Sequence, residues 1–176
     1  MDLYKAINER RSIRKYREDK IEKEKLQRVL EAARRAPSAK NLQPWKIILV
    51  EDKDLRLGLV AASKGQKFLG IAPLVAVICT DEEECYQDHG DYMSSFAVDG
   101  SILMDHFTLA AFAEGLGTCW IGKFSEAKVK SLLDIPEGWR VVTMTPVGYP
   151  AEEGDFRGRK PLSDIIFLDK WGNKIT

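Results

Sequence analysis

The alternation of apolar and polar positions along the chain predicts an interleaved set of helices and short strands. Leu3 and Ile7 suggest a short first helix ending near Arg10. Leu26, Val29, Leu30 and Ala33 recur at i, i+3, i+4 and i+7, one face of a second helix that stops before Pro37. Trp45 to Val50 is a β-type run, and Asp52 can cap a helix reaching about Ser63. Pro73 opens the next element, where Leu74 to Thr80 has the continuous apolar character of a buried strand.

Ser94 to Glu114 is the longest helical segment, and Phe107 to Ala113 is apolar almost all round, the mark of a central helix. Gly115 and Gly117 end it, and a short extended stretch, Thr118 to Ile121, follows. Ser125 is placed to cap a helix ending at Asp134, before Pro136. Trp139 to Val147 reads as another strand, and Ile165 to Leu168 as an extended tail segment. Interleaving of this kind fits α+β or α/β with helices on both faces of a sheet. No repeat or Pro/Gly/Ser linker divides residues 1–176, so one domain is expected.

Composition narrows the function. The 176 residues are 44% hydrophobic and 31% charged, with 27 basic and 27 acidic side chains, a mix that excludes disorder. Zero net charge disfavours a polyanion binder, so no nucleic-acid partner is expected. No basic flank and apolar stretch opens the chain, and the longest apolar run, Ile71 to Cys79, is nine residues, too short to span a bilayer. Cys79, Cys85 and Cys119 cannot all pair and form no C-x-x-C, so a reducing, most simply cytoplasmic, location is expected. The neutral total hides a segregation. Lys5 to Arg35 holds 12 basic and six acidic residues, whereas Asp81 to Asp105 holds eight acidic residues and no Lys or Arg. A neutral chain with a basic front can hold a small anion.

Four segments carry candidate chemistry. Arg10-Arg11-Ser12-Ile13-Arg14-Lys15-Tyr16 offers guanidinium forks and a hydroxyl, the donor set of a phosphate site. Ala36-Pro37-Ser38-Ala39-Lys40-Asn41-Leu42-Gln43-Pro44-Trp45 is a proline-bracketed polar loop able to hydrogen-bond a heterocycle or polyol. Gly115-Leu116-Gly117-Thr118-Cys119-Trp120-Ile121-Gly122-Lys123-Phe124 contains G-x-x-x-x-G-K. It is not read as a P-loop, because a helix precedes it, Phe124 replaces the Ser/Thr hydroxyl, and Trp120 and Ile121 are bulky. A backbone strip lying against a flat ligand suits it better. Arg157-Gly158-Arg159-Lys160 can complete the phosphate site. His89 follows Cys85 at x₃ spacing, which is half a metal site, so no metal is expected. No G-x-S-x-G elbow is present.

Together, and in this order, the four segments resemble the nitroreductase family of FMN-dependent oxidoreductases, over nearly the whole chain. The resemblance implies a three-layer α/β/α sandwich of α+β class, with a mixed or mainly antiparallel sheet. It also implies an intertwined homodimer with FMN at the subunit interface. By the same analogy, Arg10, Ser12 and Arg14 hold the phosphate and ribityl end, with Arg11 beside them and the Arg157–Arg159 loop closing over. Pro37, Ser38, Ala39 and Asn41 would come from the partner subunit. Trp120, Ile121 and Gly122 would offer main-chain atoms near the pyrimidine and N5 edge, and Gln66 and Lys67 would also reach the ring. The implied activity is electron transfer from NADH or NADPH, through FMN, to a nitroaromatic, quinone or similar acceptor in ping-pong order. No side chain is nominated as acid or nucleophile. A non-catalytic flavin-binding or sensor protein is the alternative from a different class. The chain lacks the longer insertion of the larger family members, and Cys85 to Met93 stands in its place.

Overall fold

A computed structural model describes residues 2–174. Six helices are present among them: α1 (Leu3–Glu9), α2 (Lys23–Ala33), α3 (Lys53–Ala62), α4 (Phe68–Ile71), α5 (Phe96–Ala113) and α6 (Glu126–Leu132). The strands are β1 (Trp45–Val50), β2 (Leu74–Asp81), β3 (Gly117–Thr118) and β4 (Trp139–Gly148), in the sheet order β1-β2-β4-β3. Every named pair is antiparallel, which settles the class as α+β.

The layering follows from β2. Its side chains alternate across the sheet, as the pleat requires, and both faces are covered. Val75, Val77 and Cys79 pack with Leu59, Leu69 and Val129, from α3, α4 and α6. Leu74, Ala76 and Ile78 pack with Val29, Leu103, Met104 and Phe107, from α2 and α5. A strand buried on both sides needs no polar alternation, which is why its sequence is a continuous apolar run. The three layers are helices, sheet and helices.

Helix α5 is 18 residues long with a mean hydropathy of 1.2, enough by length and composition alone to cross a membrane. Here it lies against α2 and the sheet and buries Leu103, Met104, Phe107 and Ala111. Asp52 caps α3 as expected, accepting from the Asp54 and Leu55 amides at 2.9 Å each. Cys79, Cys85 and Cys119 are free and buried.

Three expectations need correction. Ser125 precedes α6, but its side chain makes no capping bond, and the helix ends at Leu132 rather than Asp134. Ser125 instead donates its amide to Ala62 O at 2.8 Å, tying α6 to the end of α3. Ile165 to Leu168 is not a strand: it follows a 3-10 turn (Leu162–Asp164), and only Phe167 forms a bridge, to Lys174. Ile165, Ile166 and Leu168 are exposed and Phe167 is half-buried against Trp171, so among the described residues the pattern that resembled a strand has no sheet beneath it.

Candidate functional site

The segment after α1 leaves the helix and runs beside the short strand β3. Ser12 bridges Thr118 in parallel, and the Ile13 amide donates to Thr118 O at 2.9 Å. Gly117 permits this approach, since a Cβ there would lie 2.8 Å from Ile13 Cγ1. Tyr16 is buried, and its hydroxyl donates to Ile13 O at 2.6 Å, closing the turn from below. The Arg14 amide donates to Glu152 Oε1 at 2.7 Å, which pins the basic segment to the chain leaving β4. Gly154, at φ +76°, lets that chain pass Arg11, whose Cβ would sit 2.8 Å from an added methyl.

These contacts bring the first and fourth sequence segments together. Arg10, Arg11, Ser12 and Arg14 face Asp155, Phe156, Arg157 and Arg159 around a cavity of about 170 Å³. Five guanidinium groups against one carboxylate make the lining strongly positive. Among the described residues, Arg10, Arg14, Arg157 and Arg159 form no ion pair. Elsewhere Arg17 pairs with Asp19, Arg28 with Glu114, Arg34 and Arg35 with Glu31, and Arg140 with Glu82 and Glu126, while Arg56 donates to the main-chain carbonyls of Glu51, Gly70 and Ala72. Unpaired guanidinium groups converging on one small cavity have the donor chemistry of a phosphate monoester site. The field reaches Cys119, whose thiol burial pushes up while the charges of Arg14 and Arg10 pull it down.

Arg11 differs from its neighbours. Its Nη1 donates to Asn8 O at 2.6 Å and Arg10 O at 3.0 Å, and its guanidinium stacks on Phe156 at 4.5 Å. It closes the open C-terminal carbonyls of α1, so one part of its fork is already committed.

The glycine strip follows on the same side. Gly117 and Thr118 pair with Gly148 and Val147 as β3, so this backbone is spent on the sheet and does not wrap a phosphate. Ile121 is 1% exposed, and both of its main-chain polar groups are engaged with β4. Its amide donates to Met144 O at 2.9 Å, and its carbonyl accepts from Thr143 Oγ1 at 3.1 Å. Among the described residues the Trp120 and Gly122 amides have no such partner. Trp120 and Gly122 are therefore the members of the strip with N–H groups to offer. Gln66 donates from Nε2 to Lys123 O at 3.1 Å, Lys67 is exposed at the start of α4, and the Arg14 guanidinium lies 6.0 Å from the Phe68 ring. Segment 66–68 thus borders both the strip and the arginines.

The second sequence segment is not brought to this cavity. In loop 36–45, the Ser38 hydroxyl accepts the Gln43 amide at 2.9 Å and keeps its proton to donate elsewhere. The Ala39 amide donates to Asp99 Oδ1 at 2.9 Å, near the N-terminal end of α5. Phe112, near the other end, lines a neighbouring cavity with Arg10, Arg11 and Thr118. At 1.5 Å per residue, Asp99 and Phe112 are about 20 Å apart along α5. Pro37, Ser38, Ala39 and Asn41 therefore sit at one end of the central helix and the arginine cavity at the other.

Asp99, Glu152 and Phe68 are absent from the sequence-derived set. Asp99 had a signal, a carboxylate inside an otherwise apolar helical segment. Glu152 and Phe68 had none, because long-range packing places them.

The sequence profile of the Nitroreductase family matches residues 7–92 and 58–149. The chain belongs to this family. A Thermus thermophilus relative named NADH dehydrogenase is 32% identical over 195 residues, covering 94% of this chain and 95% of that protein. The crystal structure of a nitroreductase family protein from Clostridium novyi NT superposes with a TM-score of 0.81 at 35% identity, covering 99% of this chain and 97% of that one. An NADPH:FMN oxidoreductase from Vibrio harveyi, solved as a complex with NAD+, gives a TM-score of 0.88 at 26% identity over 97% of this chain and 78% of that one. The nitroreductase fold expected from the four segments is the fold observed.

Proposed function

We propose that this chain is an FMN-dependent NAD(P)H oxidoreductase. The observation that carries the reading is the convergence of unpaired Arg10, Arg14, Arg157 and Arg159 with Ser12 on one cavity, beside the free amides of Trp120 and Gly122. The residues fit FMN. Arg10, Ser12 and Arg14 would hold its phosphate, Arg157 and Arg159 would close over it, and Arg11 would add what its remaining N–H groups allow. Trp120 and Gly122 would give main-chain contacts to the ring edge, with Ile121 as the buried anchor between them, and Gln66 and Lys67 would border the same edge. When bound, FMN would supply the redox chemistry that carries a hydride equivalent from NADH or NADPH to a nitroaromatic, quinone or similar acceptor, in ping-pong order. The family profile and the likeness to the V. harveyi NADPH:FMN oxidoreductase support this reading.

The site is completed by a second copy of the chain. A single protomer holds Pro37, Ser38, Ala39 and Asn41 at the other end of α5 from its arginine cavity, so these residues would serve the partner's flavin. Exposed apolar side chains support the homodimer. Leu3, Tyr4 and Ile7 on α1, and Phe156, Leu162, Ile165, Leu168 and Trp171 after β4, are all uncovered, with Leu162 at 70% and Trp171 at 92% exposure. That much apolar surface marks an interaction site.

Anaerobic titration tests the proposal. The purified protein should be yellow, carry about one FMN per chain and bleach with NADH or NADPH. A colourless protein that takes up no added FMN would overturn it. Full loading without bleaching by either nicotinamide would favour a flavin-binding or sensor protein.

A further inference from the structure

Asp99 lies in the first turn of α5 and is 1% exposed. A buried carboxylate is costly unless its oxygens are hydrogen-bonded, and here each oxygen serves a different loop. Oδ1 accepts the Ala39 amide at 2.9 Å, and Oδ2 accepts the Ser95 hydroxyl at 2.6 Å. Ser95 carries the link onward. Its Oγ accepts the Tyr86 amide at 3.1 Å, and its own amide donates to Tyr86 O at 2.8 Å. The Lys40 ammonium then sits 4.4 Å from the centre of the Tyr86 ring. The contacts form a closed circuit through residues 39, 40, 86, 95 and 99.

Loop 36–45 requires such fixing. Lys40, Asn41 and Gln43 have φ of +49°, +57° and +53°, a left-handed backbone that non-glycine residues hold only when their surroundings impose it. The Asp99–Ala39 bond meets the chain immediately before the first of them.

We propose that Asp99 is a positioning residue that sets loop 36–45 against the partner subunit's flavin and ties segment 85–93 to the same loop. The proposal rests on the reading of Pro37–Asn41 as flavin-facing. Its consequence is that one carboxylate governs both cofactor affinity and the placing of segment 85–93, which carries Tyr86, His89 and Tyr92, beside the loop.

The test is Asp99→Asn in the full chain, with FMN affinity read by quenching of flavin fluorescence. Loss of the charge-assisted bonds should weaken FMN binding about tenfold. At saturating FMN, KM for p-benzoquinone should rise while kcat stays close to wild type. A lower melting temperature with unchanged FMN affinity and unchanged KM would make Asp99 merely structural and overturn the proposal. Ala39→Pro examines the same bond from its donor end, and decides the matter if Asp99→Asn does not fold. Ser38 is extended, as a residue before proline must be, and the substitution removes the N–H and puts the ring's Cδ where that hydrogen pointed, so the bond is lost and the loop is pushed off the carboxylate. It should also weaken FMN binding; unchanged affinity overturns the inference. A wild-type chain that takes up no FMN sinks the cofactor reading itself, whereas normal wild-type binding with unaffected variants sinks this inference alone.

Discussion

Twelve basic side chains crowd residues 5–35, and most are neutralised locally. Lys25 pairs with Glu22, Arg28 with Glu114, and Arg34 and Arg35 with Glu31. Among the described residues Arg10, Arg11, Arg14, Lys20 and Lys23 form no ion pair, and the three arginines line the cavity with Ser12. Arg14→Ala should therefore weaken FMN binding by about 1.5–3 kcal/mol, the value of a hydrogen bond to a charged group. Isothermal titration with FMN checks it, and an unchanged affinity would return Arg14 to the solvated surface. At this scale the sequence was a partial guide. Clustering alone made Arg10 to Arg14 legible, because a phosphate needs several donors close together. That Arg11 clamps α1 and that Ile121 spends its backbone on β4 was not legible, since partners at Asn8, Thr143 and Met144 decide it.

Short elements position the site, and they are what periodicity reads least well. Helices α2, α3 and α5 and strands β1, β2 and β4 are long enough to be read from the sequence, by period or, for β2 and α5, by an unbroken apolar run. The four-residue α4 and the 3-10 turn Ala39–Asn41 are shorter than any period can reveal. Strand β3 has two residues, yet its glycine sets how closely the arginine segment approaches. Gly117→Ala would drive a methyl into buried Ile13, and overpacking of this kind costs about 1–3 kcal/mol. The expected outcome is a lower melting temperature together with weaker FMN binding, because Ile13 carries Ser12 and Arg14 with it.

Helix α6 is fastened to β4 by a different device. Burial pushes the Glu126 carboxyl up, but hydrogen bonds from Arg140 and the Val141 amide outweigh it and leave the group below the usual carboxylate range. The unfolded chain then takes up this proton more readily than the folded one, so stability from Glu126 is present above its unfolded value near 4.5 and is lost as pH falls through the lower folded value. Denaturant titrations between neutral and acid pH should show Glu126→Gln less stable at neutral pH and less sensitive to acid than wild type.

For the whole molecule, hydrophobic pattern predicted layers without predicting strand direction. An apolar run reads the same in parallel and antiparallel sheets, and only the observed register separates α+β from α/β. The tail shows the same limit from the other side. Ile165 to Leu168 is patterned for burial, but Ile165, Ile166 and Leu168 stay exposed among the described residues.

The length of α5 has a further consequence. Because one protomer keeps loop 36–45 and the arginine cavity at opposite ends of that helix, the proposed homodimer would make cofactor retention and self-association linked equilibria. Free subunits would hold FMN weakly and the assembled pair tightly, so bound flavin promotes pairing, and dilution releases it. Apparent FMN affinity should fall as total protein is lowered through the dimer dissociation constant, a dependence that fluorescence at a series of protein concentrations measures directly. An affinity independent of protein concentration, across a range where sedimentation shows dimers separating, would mean that each chain holds its flavin alone.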